Sequence, residues 1–353
     1  MRHPMIDILN LSFPELEDFM RNTLGEPRFR AAQVWQWLWQ KMARDFEEMT
    51  NVSKVTRQRL AETAVIRWPE VRTIEKSADG TEKFLLALHD GAMVETVLLP
   101  STARDGTTRI AQCLSCQVGC AMGCGFCATG GQGFERNMTM SEILGQVLVA
   151  RRHLGDLRPD RPKLRNLVFM GMGEPLLNLR EVMRSLETLN HTHGLCFSPR
   201  RVCVSTCGIE KGLRELGDSG LAFLAVSLHA PNQELRARIM TKAANWHLDD
   251  LLRALSEYPL KTRERITFEY LLLGGVNDGP EHARELVRLL SCIKAKLNLI
   301  VYNPTPDSPY AAPSPARVLA FEKILWDKGI TAIVRKSKGQ DINAACGQLR
   351  SHV

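Results

Sequence analysis

The chain has 353 residues, of which 44% are hydrophobic and 24% are charged, a composition typical of a globular protein with a sizeable core. Its formal net charge of +7 is compatible with a polyanionic partner such as nucleic acid, although many basic proteins have no such partner. No apolar run approaches the length that spans a bilayer, and acidic residues interrupt the apolar start of the chain. We therefore expect a cytoplasmic protein without a membrane span or a signal peptide.

Residues 1–68 are predicted to form a helical module. The segments FPELEDFMRNTL and FRAAQVWQWLWQKMARDF carry apolar residues at helical spacing, and a third helix is expected around Lys54–Thr63. The tryptophans of the second segment are predicted to pack in the core of this module rather than to stack on bases.

Residues 69–108 are predicted to form a β-meander with a connector. Three strand-like runs are separated by Asp79-Gly80 and Asp90-Gly91, and an Asp-Gly pair between alternating runs is typical of a hairpin turn. The third run leads into residues 101–108, a polar and turn-rich connector.

From residue 109 to residue 353, apolar strands alternate with amphipathic helices. Six runs predict buried strands: LRNLVFMGM, RRVCVST, LAFLAVSLH, RITFEYLLL, KLNLIVYNP and ITAIVRKS. Nearly continuous apolar strands are expected where helices cover one side of a sheet and an interior fills the other. The pattern predicts an α/β fold of repeated βα units, either barrel-like or doubly wound.

Half of the ten cysteines lie between residues 113 and 127. Clustered cysteines in a reducing compartment indicate metal or redox chemistry rather than disulfides. Within the stretch CAMGCGFC, Cys120, Cys124 and Cys127 form a C-x3-C-x2-C pattern. Three thiolates would hold a four-iron cluster and leave one iron open for another ligand.

Zinc is the alternative interpretation of the same stretch. The pairs Cys113-x2-Cys116 and Cys124-x2-Cys127 could together form a four-thiolate site. The gap between the pairs is shorter than the usual zinc ribbon spacing, and zinc leaves Cys120 without a role. These points disfavour zinc, but a non-catalytic, zinc-dependent RNA-binding module stays open as an alternative.

The cysteine pattern, with Phe126 before its last cysteine, resembles the signature of the radical S-adenosylmethionine (SAM) superfamily. In that superfamily a 4Fe-4S cluster binds SAM and cleaves it to a 5′-deoxyadenosyl radical. Further blocks along almost the whole chain, among them FMGMGEPLLN, VSLHAPN, EYLLLGGVND, NLIVYNP and DINAACGQL, resemble the RlmN family. That family methylates C2 of an adenosine in the peptidyl-transferase centre of 23S rRNA and of the adenosine beside the tRNA anticodon. The resemblance implies a partial, TIM-like (βα)6 barrel after the helical accessory module and the meander.

The resemblance also implies the catalytic residues. Cys346 would accept a methyl group from one SAM, and a second SAM, cleaved at the cluster, would supply the radical that takes a hydrogen from that methyl. The resulting methylene radical would attack adenine C2 and link the protein to the RNA. Cys113 would then attack Cys346, form a disulfide and release the methylated RNA. Cys116 is a rival for this resolving role, and Glu95 matches the proton acceptor of the family.

Seven residues match the SAM-binding positions of the family. They follow or end predicted strands, and ligands collect at the carboxyl ends of barrel strands. His229 in isolation is more often a structural histidine than a ligand. The seven are Gly173, Glu174, Ser205, Ser227, Leu228, His229 and Asn303.

The resemblance implies 23S rRNA and tRNA as partners, an electron donor such as flavodoxin or ferredoxin, and a monomer. Two further enzymes of the superfamily are alternatives. The Cfr methyltransferase modifies C8 of the same rRNA adenosine, but GEPLLN and VRKSKG resemble the C2 enzymes more. A radical SAM enzyme acting on a small molecule or peptide would not need Cys346. Candidate RNA-contacting cations are Arg28, Arg30, Arg151, Arg152, Arg200, Arg201, Arg335, Lys336 and Lys338.

Overall fold

The computed structural model describes residues 5–103, 105–156, 162–305 and 308–350. Within these ranges no helix is both long enough and apolar enough to cross a membrane. The connector predicted at 101–108 contains Arg104, which lies outside the described residues.

The amino-terminal module is helical, as predicted. Its two short strands pair in parallel where the module begins and ends. Trp35 and Trp39 are fully buried, and their rings meet edge to face at 5.6 Å, which confirms their placement in the core. The elements are β1 Ile6–Asp7, α1 Phe13–Asp18, α2 Arg28–Trp39, α3 Lys54–Thr63 and β2 Ala64–Val65.

An antiparallel meander follows the module. The two predicted Asp-Gly turns are confirmed, with Gly80 and Gly91 at φ values of 83° and 89°. A fourth strand, TRIAQC, was not predicted, because it is short, begins with polar residues and adjoins the polar connector. The strands are β3 Glu70–Lys76, β4 Glu82–Ala87, β5 Met93–Thr102 and β6 Thr108–Cys113.

Four elements connect the meander to the repeated βα units. They are β7 Gln117–Gly119, α4 Ala128–Gln132, β8 Phe134–Asn137 and α5 Met140–His153. All six predicted strands of the units are present: β9 Leu164–Phe169, β10 Val202–Thr206, β11 Phe223–Ser227, β12 Ile266–Leu272, β13 Ala295–Val301 and β14 Ala332–Arg335. The accompanying helices are α6 Leu179–Asn190, α7 Glu210–Ser219, α8 Gln233–Ile239, α9 Leu248–Ser256, α10 Pro280–Leu290 and α11 Pro315–Asp327.

Ten strands form one curled sheet in the order β14-β13-β12-β11-β10-β9-β6-β5-β4-β3. A flat sheet of this size would hold its edges about 43 Å apart, because neighbouring strands are spaced by about 4.8 Å. Gly339, only four residues after β14, nevertheless donates its N–H to Asp79 in the turn between β3 and β4, at 2.9 Å. Four extended residues span at most about 14 Å. The sheet therefore curls into a partial barrel, and the expected fold class is confirmed.

Candidate active site

The three cysteines of the C-x3-C-x2-C pattern lie on the loop between β7 and α4. Cys120 donates its N–H to the Gly133 carbonyl at 2.7 Å, and Cys127 donates to the Cys124 carbonyl at 3.1 Å. Burial and the neighbouring Cys127 thiol raise the pKa of the Cys120 thiol to about 11. Burial and both other thiols raise the pKa of Cys124. The three side chains thus face one another, and bound iron would hold them as thiolates.

The spacing of the thiols does not suit a single zinc ion. Four thiolates around zinc, each at about 2.3 Å, lie within about 4 Å of one another. Among the described residues, the only three ligand atoms within 4.8 Å of one another belong to His89, Asp90 and Glu142. Arg136 already forms ion pairs with both of these carboxylates. The cysteine loop is therefore spaced for a larger group than one metal ion.

A buried cation beside the loop also fits an iron–sulfur cluster. Arg236 on α8 is fully buried, and the electrostatic partners of its guanidinium are the thiols of Cys207 and Cys124. An unpaired charge in the interior is costly unless an anion compensates it. A cluster held by thiolates would supply that negative charge.

Cys346 and Cys113 come together although 233 positions separate them in the sequence. Cys113 ends β6, and burial together with the Cys346 thiol raises its pKa to about 12. Burial, Glu269 and Cys127 likewise raise the pKa of Cys346 to about 12. Cys346 as a whole residue is exposed to solvent, whereas its thiol is surrounded by protein groups. This combination is typical of a residue that lines a cavity. The two thiols therefore act on the same part of the site, and the bond from the Ala128 N–H to the Gly347 carbonyl at 2.7 Å holds Cys346 beside the end of the cysteine loop.

Cys116 differs from Cys113 in its surroundings. Its thiol is buried, and the groups that raise its pKa after burial are Glu174, Cys120 and Cys113. Cys346 is not among them. The electrostatic surroundings therefore favour Cys113 over Cys116 as the partner of Cys346. All ten cysteines are free thiols.

Residues 336–350, the carboxyl-terminal tail, hold Cys346 in place. Hydrogen bonds of 2.5–2.9 Å tie the tail to the meander, to the cysteine loop and to the end of β13. The tail thereby connects the two edges of the sheet. The bonds join Asp79 to Gly339, Glu95 to Arg350, Ala128 to Gly347, Thr129 to Leu349 and Asn303 to Gln340.

Glu95 lies on β5 at one of these anchors. It is 2% exposed, forms an ion pair with Lys83 at 3.1 Å and accepts the N–H of Arg350 at 2.7 Å. Burial raises the pKa of its carboxyl group, which Lys83 partly offsets. Its carboxylate is thus already engaged in holding the tail.

Gly173 and Glu174 form a tight turn after β9. Gly173 has a φ of 103°, and a Cβ atom there would lie 2.6 Å from the Gln117 side chain, so only glycine fits. The Glu174 carboxylate is buried and accepts the N–H groups of Leu176 at 3.0 Å and Cys207 at 2.8 Å. This turn aims a fixed carboxylate towards the cysteine loop, since Glu174 also acts on the Cys120 thiol.

Four of the other predicted SAM positions follow one another along β10, β11 and the residues after it. The hydroxyl oxygens of Ser205 and Ser227 are 3.4 Å apart. Leu228 is fully buried, and its backbone N–H and carbonyl are both bonded, so it offers an apolar wall. His229 Nδ1 accepts the N–H of Leu271 at 3.1 Å, and burial lowers its pKa to about 3. The ring is therefore neutral, with its proton on Nε2.

Asn303, the remaining position, lies just after β13. It is 2% exposed, and its Oδ1 accepts from Gln340 at 2.5 Å. Its Nδ2 is buried and has no hydrogen-bond partner among the described residues. A buried amide N–H without a partner is rare, so this group fits the binding of an absent acceptor.

The barrel interior is accessible to solvent. Strand register places Ser227, Glu269 and Asn298 side by side on the inner face, and Asn298 donates to Glu269 at 2.8 Å. Ile333 of β14 pairs with Asn298 in the same row and is 49% exposed. A closed TIM barrel fills this space with packed side chains. Here the inner face is open to solvent at the sheet edge formed by β14.

Sequence reasoning missed two charged residues of the site. Arg236 stands among apolar positions of α8, with Leu235 and Ile239 buried beside it. Glu269 stands within the apolar run of β12, and burial raises its pKa to about 7. A charge inside a buried apolar run was the available signal for Glu269, whereas the sequence of α8 offers no such signal for Arg236.

Comparisons with known proteins identify the family. A model described as the ribosomal RNA large subunit methyltransferase N-terminal domain matches residues 6–66, and the radical SAM superfamily model matches residues 114–290. The dual-specificity RNA methyltransferase RlmN of Nitratidesulfovibrio vulgaris (strain DP4) is 78% identical over 347 residues, which cover 98% of this chain and 95% of that protein. The chain belongs to the RlmN family.

Other RlmN proteins and a solved structure agree with this assignment. RlmN of Syntrophus aciditrophicus (strain SB) is 43% identical, with 98% of this chain and 96% of that protein covered. A crystal structure of a radical SAM methyltransferase from Sphaerobacter thermophilus matches with a TM-score of 0.90 at 41% identity, over 98% of this chain and 99% of that chain. The resemblance drawn from the sequence is thereby confirmed. The cofactors are those of the radical SAM superfamily, a 4Fe-4S cluster and SAM.

Proposed function

We propose that this protein methylates C2 of adenosine in 23S rRNA and in tRNA, with Cys346 as methyl carrier and Cys113 as resolving thiol. The observation that carries the proposal is that the tail holds Cys346 beside the cysteine loop, through Ala128 to Gly347 at 2.7 Å and Thr129 to Leu349 at 2.6 Å, where the Cys346 thiol acts on Cys113. Two thiols outside the loop are a chemical requirement, because a covalent protein–RNA link must be broken by a second thiol within disulfide reach. Family membership supports the reaction class.

The proposed ligands of the 4Fe-4S cluster are Cys120, Cys124 and Cys127. When bound there, the cluster and SAM supply a radical that abstracts hydrogen. Gly173, Glu174, Ser205, Ser227, Leu228, His229 and Asn303 are proposed to bind SAM. Glu174 offers a carboxylate to the amino group, and the unpartnered Asn303 Nδ2 offers a donor.

The two thiols act in sequence. The Cys346 thiolate forms a bond with the methyl carbon of SAM, and the electrons of the broken carbon–sulfur bond stay on the leaving thioether. After the methylene group is joined to the adenine, the Cys113 thiolate attacks the Cys346 sulfur. The sulfur–carbon bond breaks with its electron pair on the carbon, which takes up a proton and becomes the methyl group of the RNA. Glu95 is proposed as proton acceptor. An external dithiol reductant then reduces the Cys113–Cys346 disulfide to two thiols by thiol–disulfide exchange and leaves as its own disulfide.

The remaining partners are part of the same proposal. A one-electron donor of the flavodoxin or ferredoxin type reduces the protein, which acts as a monomer in the cytoplasm. Residues 1–68 serve as the accessory RNA-binding module. Solvent access along the inner face of β13 and β14 supports entry of a nucleotide.

The test uses anaerobically reconstituted protein with SAM, reductant and unmodified 23S rRNA or tRNA. Mass spectrometry of RNA digests should find 2-methyladenosine with the wild type and none with Cys346→Ala. Cys292→Ala is the matched control, because Cys292 is also exposed but lies after α10, away from the site. Methylation at C8, or full activity of Cys346→Ala, would refute the proposal.

A further inference from the structure

Arg236 is a charged residue at a position where the fold needs an apolar one. It is fully buried on α8 between Leu235 and Ile239, which are buried as well. No carboxylate of the described residues forms an ion pair with it, and its Nε has no hydrogen-bond partner. Buried charges in proteins are normally paired or next to an ion.

Helix α8 connects the cysteine loop with the Gly173–Glu174 turn. At its carboxyl end, the Ile239 carbonyl accepts the N–H of Gly125 at 3.1 Å. On its inner side, Arg236 Nη2 donates to the Cys207 carbonyl at 2.6 Å. The N–H of the same Cys207 donates to Glu174 at 2.8 Å. The guanidinium therefore stands between the proposed cluster ligands and the proposed SAM carboxylate.

Hydrogen bonds to carbonyls do not explain the positive charge. Arg236 Nη1 donates to Ala243 at 2.7 Å and to Trp246 at 2.9 Å, which closes the turn after α8. A neutral amide could donate to the same carbonyls without the cost of burying a charge. The groups that act electrostatically on this guanidinium are the thiols of Cys124 and Cys207, and Cys124 is one of the proposed cluster ligands.

We propose that Arg236 is a positioning residue for the iron–sulfur cluster, one whose buried charge compensates the thiolate-bound cluster and favours its reduced form. The inference rests on the proposed function, which assigns the cluster ligands. Reduction adds one electron from the external donor, and a nearby cation in a low-dielectric interior stabilises the reduced form more than the oxidised one. Arg236 itself makes and breaks no bond.

The test compares Arg236→Gln and Arg236→Lys with the wild type, each reconstituted anaerobically as the full chain without SAM or RNA. Glutamine keeps a donor for the carbonyls but removes the charge, whereas lysine keeps the charge. Arg151→Gln is the matched control. Arg151 is 4% exposed, which contradicts its prediction as an RNA contact, and its guanidinium donates to the Asp156 carbonyl and lies 3.9 Å from the Asp156 carboxylate. Iron and sulfide content and the midpoint potential from an EPR-monitored redox titration are measured.

We expect Arg236→Gln to shift the reduction equilibrium at least tenfold towards the oxidised form, a fall of about 59 mV for one electron. Arg236→Lys and Arg151→Gln should stay within about threefold of the wild type on the same scale. Equal potentials for Arg236→Gln and the wild type, with full clusters in both, would overturn the inference. A fall as large in Arg236→Lys as in Arg236→Gln would also overturn it, because lost carbonyl bonds would then explain both.

Two further outcomes remain decisive. If Arg236→Gln does not yield folded protein, Arg236→Met decides, because it removes the charge and fills the buried position with an apolar side chain: a tenfold fall supports the inference, and a potential equal to that of the wild type overturns it. If the wild type itself assembles no cluster, the ligand assignment in the proposed function fails and this inference fails with it. A wild-type cluster with unchanged variants refutes the inference alone.

Discussion

Removing the positive partner of Glu95 should destabilise the protein. Lys83 is 5% exposed and lies 3.1 Å from the Glu95 carboxylate, which is itself 2% exposed. Lys83→Met keeps the length and packing of the side chain but leaves Glu95 buried without its cation. Breaking a buried ion pair from one side costs about 3–5 kcal/mol. Because Glu95 also holds Arg350, the tail should loosen at the same time.

The expected change in melting temperature follows from the size of the chain. Unfolding entropy is about 2.1 cal/mol/K per residue, which gives about 0.74 kcal/mol/K for 353 residues. A loss of about 3–5 kcal/mol therefore lowers the melting temperature by about 4–7 °C. Arg72→Met is the control, because Arg72 and Glu70 form an exposed pair in the same meander, where an ion pair contributes about 0–1 kcal/mol.

The effect should depend on pH with a defined sign. Burial raises the pKa of Glu95 in the folded protein, and without Lys83 that pKa rises further. An acid whose folded pKa is raised binds its proton more tightly when folded, so its destabilising effect grows as pH rises above the unfolded pKa. Calorimetry should find a larger deficit in Lys83→Met at pH 7.5 than at pH 5. A melting temperature equal to that of the wild type, or a deficit independent of pH, would refute this reasoning.

Three further changes test the site. Gly173→Ala places a Cβ atom 2.6 Å from Gln117 and should weaken SAM binding at least tenfold by calorimetric titration, whereas unchanged affinity would show that the turn adapts. Asn303→Ala should raise the SAM Kd by about tenfold, because one lost hydrogen bond costs about 1.4 kcal/mol. Asn190→Ala is remote from the site and should leave the Kd unchanged. Thr129→Val removes the hydrogen bond of 2.6 Å from the Thr129 hydroxyl to the Leu349 carbonyl. It should lower the free energy of unfolding by about 1 kcal/mol and speed amide hydrogen exchange in the tail. Equal exchange rates would contradict the anchoring role.

Local patterns predicted the elements well, because spacing within a few residues decides them. The Asp-Gly turns, the buried Trp35 and Trp39 and the six parallel strands follow from short-range periodicity. The strand β6 was missed, since its pairing with β5 and β9 comes from neighbours that are distant in sequence.

Long-range proximity was predictable only through family resemblance. No local pattern links Cys346 to Cys113, because the curl of the sheet and the tail bring the two together. Arg236 remained invisible for a different reason. An arginine in an amphipathic helix is expected on the polar face, and only the packing of α8 shows that Arg236 is buried.

The carboxyl-terminal tail also determines when, during synthesis, the fold can be completed. Glu95 and its partner Arg350 are separated by 255 positions, and Asp79 and Gly339 by 260. At about 5–20 residues per second, ribosomal synthesis leaves roughly 13–50 s between the emergence of these partners. Through most of that interval the cysteine loop has already been synthesised, whereas Cys346 has not. Iron loading can therefore precede completion of the chain, whereas a catalytically competent barrel appears only after translation ends.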